Sequence, residues 1–303
     1  MHRISRRKFV MLAAAGSVAA PFAAQTGIAY AQGSLTAQAV VDRIRQKSGG
    51  EWKPDTVDTF KAGDPATVVK GVVTTAMATI EVLRQSVQSG ANFIITGEPT
   101  YYSKADASTP PAGRGGTTPT PDPILTAKND FIRRNQLVIW RFSDHWRAAT
   151  PDPLAIGLTD ALGWSKLRAV DYPALVTMPA TTLEDLVRDV HKKLNARGGI
   201  RVVGDPQLKV QKIGLLPGTT AIQAALKMLP QVDAIVAGEV REWESVEYVR
   251  DKISAGEMKS LILLGRVVSE NPGMNECAKW VKSLVPEVPV KWIPVDDPYW
   301  RPA

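Results

Sequence analysis

Apolar residues along this chain fall into short blocks whose spacing alternates between two periods. Residues 35–47, LTAQAVVDRIRQK, carry them at helical spacing and predict an amphipathic helix. Compact apolar runs then alternate with longer amphipathic stretches. The pattern predicts a strand over 69–75, a helix over 76–89, a strand over 92–96 and a helix over 122–135 with Pro123 in its first turn. A strand over 137–142 and a helix from about 153 to 162 follow. A middle section holds a strand near Leu175 and the helix of TTLEDLVRDVHKKLNARGG. There Leu183, Leu186, Val187, Val190 and Leu194 form the buried stripe, and Thr181 and Glu184 the capping box. The order recurs as strand 212–216, helix 219–229, strand 234–237, helix 242–254, strand 261–264, helix 275–284 and strand 290–293. Strands joined by helices pair in parallel, so the expected class is α/β: two similar lobes with mixed, largely parallel sheets.

The two halves look duplicated. KGVVTTAMATIEVL matches QKIGLLPGTTAIQAAL in pattern, and each segment leads to a strand ending in Gly-Glu. Lys70 lies 28 positions before Glu98, and Lys212 lies 27 before Glu239. The division expected is an export signal over 1–31, a first lobe over 35–165, a middle section over 166–209 and a second lobe over 210–303. Within the first lobe, 103–121 is a Pro-, Gly- and Thr-rich flexible loop. A lid over Glu98 and a disordered insertion both fit that composition.

Charge changes the picture mainly at the N-terminus. The chain has 303 residues, 44% of them apolar, and a formal charge of +7. Arg3, Arg6, Arg7 and Lys8 sit in a start without acids; the remainder carries 33 basic against 30 acidic residues. That balance, with no basic helix or aromatic-plus-Arg platform, argues against nucleic acid as a partner. SRRKFVM, an Ala-rich run over 10–24 and the small-x-small step Ala29-Tyr30-Ala31 resemble a twin-arginine export signal with Arg6, Arg7 and Phe9. The implied location is periplasmic or secreted. Gly16, Ser17 and Pro21 interrupt the apolar run, so no stable membrane span is expected once the signal is removed.

Candidate chemistry is narrow. One cysteine, Cys277, rules out an intrachain disulfide and a Cys-rich zinc site, and its helical neighbours mark it as a core thiol. The three histidines are His2, His145 and His191, too few for a His-rich centre or a credible Ser-His-Asp arrangement. No nucleotide-cradling glycine motif is present. Ligands in parallel α/β sheets bind outside the carboxyl ends of the strands. Four acids are expected there, Glu98, Asp144, Glu239 and Glu270, with His145, Arg147 and Arg266 close by in sequence. Clustered carboxylates need a cation or a proton between them, whereas acids capping helices need neither. Trp140 and Phe142 share a strand face and read as core; Tyr101 and Tyr102 border the site or the sheet edge. Tyr299 and Trp300 are expected to pack or to aid assembly.

Several of these segments together resemble one family. GDPATVVKGVVTTAMATIEVLRQSVQSGANFIITGEPTYYS, FIRRNQLVIWRFSDHW, ALGW at 161–164 and LGRVVSENPGMNECAKWV are similar to the NIF-three-like dinuclear metal-center hexameric proteins, also known as GTP cyclohydrolase I type 2. The resemblance implies two α/β domains, a hexameric ring and paired divalent metals in an inter-domain cleft. Its ligands come from a Thr-His-His-Pro motif, a later Asp and a C-terminal His-x-x-x-Glu. Carried over by position, the two histidines become Gly97 and Glu98. The C-terminal His becomes Arg266, while Glu270 is kept with Ser269 before it. A gapless match puts Arg147 on the Asp position; a small shift brings in Asp144 or His145. Glycine offers no side chain, and a guanidinium neither ligates nor deprotonates.

The expectation is therefore an exported, self-associating protein, a hexamer by resemblance, with an altered inter-lobe metal cleft. Arg266 would stand in for the metal, forked between Glu270 and Glu98 or Asp144, and the protein would be non-enzymatic or weakly metal-binding. The alternative is a hydrolase of small polar substrates with one divalent ion, Mg, Mn or Ca, on Glu98, Asp144 or His145, and Glu270. The cofactor expectation is thus none or one divalent metal ion.

Overall fold

A computed structural model describes residues 34–49, 51–103, 105–108 and 122–302. The expected signal over 1–31 lies outside them, as does most of the expected loop over 103–121. Residues from Ser34 onward form one compact unit. It contains two five-stranded sheets, each with its own hydrophobic core.

The first sheet has the order β1-β4-β3-β2-β10. Its strands are β1 (Phe60–Ala62), β2 (Val72–Thr75), β3 (Phe93–Thr96), β4 (Val138–Arg141) and β10 (Val290–Trp292). Four run parallel and only β1 is antiparallel, against β4. Every residue of β2, β3 and β4 is buried, as strands covered on both faces require. The second sheet has the order β5-β7-β8-β9-β6. β7 (Lys209–Thr219), β8 (Ala234–Glu239) and β9 (Ser260–Leu263) are parallel. β5 (Leu175–Thr182) and β6 (Arg201–Val203) form antiparallel edges.

Helices α1 (Ala37–Lys47), α2 (Ile80–Gln88), α3 (Pro123–Arg134), α4 (Asp144–Ala148), α5 (Pro153–Ala161), α6 (Leu183–Leu194), α7 (Ile222–Met228), α8 (Glu247–Ser254) and α9 (Arg266–Leu284) connect the strands. Thr36, Thr79, Asp122 and Asp152 cap α1, α2, α3 and α5 by accepting hydrogen bonds from first-turn N–H groups. The cap of α6 is Thr182, which accepts from Asp185 N, one residue beyond the Thr181–Glu184 pair that the sequence suggests. Among the described residues, no helix is long and apolar enough to cross a membrane.

The sheets do not follow the boundaries drawn from the sequence. β5 and β6, from the stretch read as a middle section, complete the second sheet. α5, placed with the first lobe, contributes Ala155 and Leu158 to the second core. β10, expected in the second lobe, pairs in register with β2 of the first. The carrier of this return is α9, which begins at Arg266 rather than near 275. Pro272 lies inside it and cannot donate to the preceding turn, which is why SENPG reads as a break. Tertiary contacts hold the helix across that point. Val267, Met274, Cys277 and Val281 enter the first core while Val268 enters the second, and Thr74 Oγ1 donates to Met274 O at 2.7 Å. Asn271 then bonds both N–H and C=O of Val295, fixing the chain beyond β10. Tyr299 and Trp300, expected to pack or to aid assembly, are exposed.

Candidate functional site: a carboxylate–guanidinium cluster between the lobes

β2, β3 and β4 end level with one another, Thr75 opposite Thr96 and Thr96 opposite Arg141. Just past β3 the chain is held by Gly97 N donating to Thr75 O at 3.1 Å and Glu98 N to Ala76 O at 2.9 Å. The Thr96 hydroxyl donates to Glu98 O at 2.9 Å and closes the turn. This aims Glu98 away from its own sheet and towards α9. A Cβ on Gly97 would sit 3.2 Å from Met274 Sδ, so any side chain there presses on α9.

Glu98 meets Glu270, which projects from the first turns of α9 one helical turn after Arg266. Both carboxylates are almost wholly buried, at 1% and 2% exposure. Two like charges this deep are tolerated only with compensating cations or protons. The cations are Arg147, from α4, and Arg266. Arg147 Nη2 donates to Glu98 Oε1 at 2.8 Å and, closer still, to Glu270 Oε1. Arg266 Nη2 donates to Glu98 Oε2 at 2.5 Å, and its Nε lies 3.7 Å from Glu270 Oε1. The two guanidinium side chains are 30% and 32% exposed, so they close the cluster on its solvent side. Glu239, at the end of β8, sits at the edge: it is 55% exposed and 3.7 Å from Arg266 Nη1.

The second lobe makes room for this arrangement. Gly218 lies where the β7–β8 register shifts, with φ +77, and a Cβ on it would strike Glu270 Oε1 and the Arg147 guanidinium. Its N–H donates to Ser269 Oγ at 2.9 Å, and Ser269 in turn donates to Arg266 O at 2.8 Å. Burial is the largest influence on Glu270 and raises its pKa; Arg147 opposes, Glu98 adds, and the carboxyl is pushed up to about 7. Burial works against the charge of Arg147 too, but Glu270 and Glu98 outweigh it and hold Arg147 above the ordinary arginine value.

Asp144 and His145 are not brought to Glu98 and Glu270. Asp144 Oδ2 accepts from Thr56 Oγ1 and Val57 N, both at 3.0 Å. Burial would raise the Asp144 pKa, but these hydrogen bonds, with Arg141 and His145 nearby, hold it below the usual carboxylate value. His145 Nδ1 lies 2.8 Å from Asp58 Oδ2, and its Nε2 accepts from Lys53 N at 3.1 Å. One face of its ring stacks on Trp52 at 3.6 Å. Fully buried Asp58 also accepts from the backbone N–H groups of Ser143, Asp144 and His145, capping α4. The segment over 51–58 thus captures both short side chains within the first lobe, while the longer Arg147 reaches across. The sequence carries no periodic signal for Trp52, Thr56 or Asp58; for Gly218 it offers the Pro217-Gly218 step.

The expected fork of Arg266 between Glu270 and Glu98 is therefore a fork shared by two arginines, with Arg147 making the bridge and Asp144 taking no part. This set does not fit a pair of divalent ions. Each of the two carboxylates already bonds a guanidinium, Gly97 supplies no donor, and neither arginine has a lone pair to give. Among the described residues, no three His, Cys, Asp or Glu side chains gather as metal ligands would.

Comparison with known proteins agrees on the architecture. The Staphylococcus aureus hypothetical protein SA1388 superposes with a TM-score of 0.66 at 15% identity, over 88% of this chain and 99% of that one. A Bacillus cereus protein related to NIF3 gives 0.65 at 14% identity over 88% and 99%. The Thermus thermophilus protein TTHA1606 gives 0.55 at 13% over 88% and 97%. These likenesses are of fold, two mixed and largely parallel five-stranded sheets. No curated protein matches the sequence significantly. The sequence pattern of the family Duf34/NIF3 (NGG1p interacting factor 3) matches residues 150–298, the part that supplies α9 with Arg266 and Glu270. By that segment, the second lobe of the chain is similar to the Duf34/NIF3 family.

Proposed function

We propose that this protein is an exported member of that family whose inter-lobe cleft is held by arginine–carboxylate pairs in place of metal ions, and that it acts as a binding or scaffold protein, not as a metallohydrolase. The observation that carries this reading is the seating of Arg147 and Arg266 on the two buried carboxylates, Glu98 and Glu270. A divalent ion entering there would have to displace both guanidiniums and share the pocket with their charge. At separations near 4 Å such repulsion is several kcal/mol in a partly buried setting. Hydrolysis through a bound water needs an ion with an open coordination position, and Glu98 with Glu270 alone do not build one.

The location follows from the paired Arg6 and Arg7, the Ala-rich run and the small-x-small step at 29–31. Export in a folded state suits a protein whose first sheet is completed by its last strand, β10. Self-association is part of the proposal, since Trp243, Tyr299 and Trp300 are large, apolar and exposed on the second lobe and C-terminal tail. The test is calorimetric titration of the purified protein with Mn²⁺ and Zn²⁺, alongside phosphate-ester and acyl-ester hydrolysis assays. Neither saturable binding nor turnover is expected. Metal-dependent turnover that Glu270→Gln abolishes would overturn the reading.

A further inference from the structure

A second site lies on the other side of α4, away from the charged cluster. Phe142, Trp146 and Trp280 form a mutual trio, with ring centroids 5.7, 6.0 and 5.6 Å apart. With His145 they wall a cavity of about 530 Å³, a size typical of small-molecule sites. Its mouth lies between the end of α1, the turn after α4 and the outer face of α9. The cavity is independent of the metal question, because none of its walls belongs to the Glu98–Glu270 cluster.

Three features define what fits. The walls are flat rings, which favour a flat aromatic guest by offset or edge-to-face contact. Trp146 is 7% exposed, and its Nε1–H is buried with no acceptor. A guest therefore meets Trp146 through ring carbon and not through its N–H. The mouth carries Lys47, Lys279 and Glu276. Lys279 is paired with Glu276 at 2.5 Å, while Lys47 makes no ion pair among the described residues. The electron-rich rings alone would also attract a cation, but the lysines at the mouth repel one. His145 offers only ring surface, since both its nitrogens are engaged with Asp58 and Lys53.

We propose that this aromatic cavity binds a planar aromatic carboxylate of one or two fused rings. The rings lie against Trp280 and Phe142, and the carboxylate pairs with Lys47. The test is calorimetric titration of the purified protein with 2-naphthoate and with its uncharged counterpart 2-naphthylmethanol. The expected result is one 2-naphthoate per chain with Kd on the order of 100 µM, and the alcohol about tenfold weaker. Lys47→Gln, an exposed change at the end of α1, is expected to weaken 2-naphthoate about fivefold to tenfold and leave the alcohol unchanged. Trp280→Ala is expected to weaken both. No binding of 2-naphthoate at millimolar concentration would overturn the proposal. So would binding that Lys47→Gln leaves intact, which keeps the test decisive if Trp280→Ala fails to fold.

Discussion

Two polar clusters share the short helix α4, and they are built on opposite principles. On one side Arg147 joins Glu98, Glu270 and Arg266, a set drawn from both lobes in which charge answers charge. On the other, Asp58 and Asp144 are satisfied almost entirely by N–H and hydroxyl groups of their own lobe. The first arrangement fails when one partner is removed, because what remains is a buried, uncompensated charge. The second spreads its anions over many neutral donors, so each loss is small. Residues two or three positions apart in sequence thus serve different ends: Asp144 and His145 position α4, and Arg147 links the lobes.

Removing Arg147 probes this contrast hardest. Arg147→Ala is expected to cost about 3–5 kcal/mol in urea denaturation, since it strips the bridge from two buried carboxylates. A loss under about 1 kcal/mol would mean that the charged cluster holds nothing together. Next in size is pH dependence, where the two clusters should have opposite signs. The Glu270 carboxyl is raised to about 7, so the folded form keeps a proton that the unfolded chain releases near 4.5. Stability from this group is complete below about pH 4.5 and falls as pH rises towards 7, by on the order of 2–3 kcal/mol. Glu270→Gln should flatten that slope. Asp144 is lowered, so its contribution is present above the ordinary aspartate value of 3.8 and disappears as pH falls through its depressed folded value. Stability curves of the natural protein, Glu270→Gln and Asp144→Asn separate the two signs.

Asp58→Ala should cost about 2 kcal/mol, for the cap of α4 and the His145 contact together. It should also quench or shift Trp52 fluorescence as the stacked histidine loosens. Smallest is Thr56→Val, which removes the hydroxyl that donates to Asp144 and accepts from Asp58 N, and should cost about 1 kcal/mol without altering either pH slope's sign. An effect of Thr56→Val as large as that of Arg147→Ala would erase the distinction between the clusters.

Much of this organisation is legible in the chain before any coordinates. The compact apolar runs around β2, β3 and β4, the Gly-Glu steps at 97–98 and 238–239, and the spacing of Arg266 and Glu270 are local signals. They lead to the α/β class; the fork of Arg266 between Glu270 and Glu98 or Asp144 is what the family resemblance adds. Other features are not local. Asp58 lies in a stretch without periodicity, and its role comes from residues 85 or more positions later. The true start of α9 is hidden because SENPG carries a proline that isolated helices avoid, whereas packing against both cores enforces the helix. The return of β10 to the first sheet depends on edge pairing with β2, which no periodicity encodes. Asp144, short and next to His145, looks like a ligand in sequence; the Thr56 hydroxyl and Val57 N–H that claim it are 88 and 87 positions away.

If Arg147 and Arg266 do fill the place of divalent ions between Glu98 and Glu270, the purified protein should carry almost no metal. The most direct measurement is the metal content of the unchelated protein by plasma mass spectrometry, read per chain. Well under one equivalent of all divalent ions together is expected, unchanged by dialysis against Mn²⁺ or Zn²⁺. Two equivalents retained through gel filtration, and lost in Glu98→Gln and Glu270→Gln, would show that the arginines yield to metal and the cleft is a working metal centre.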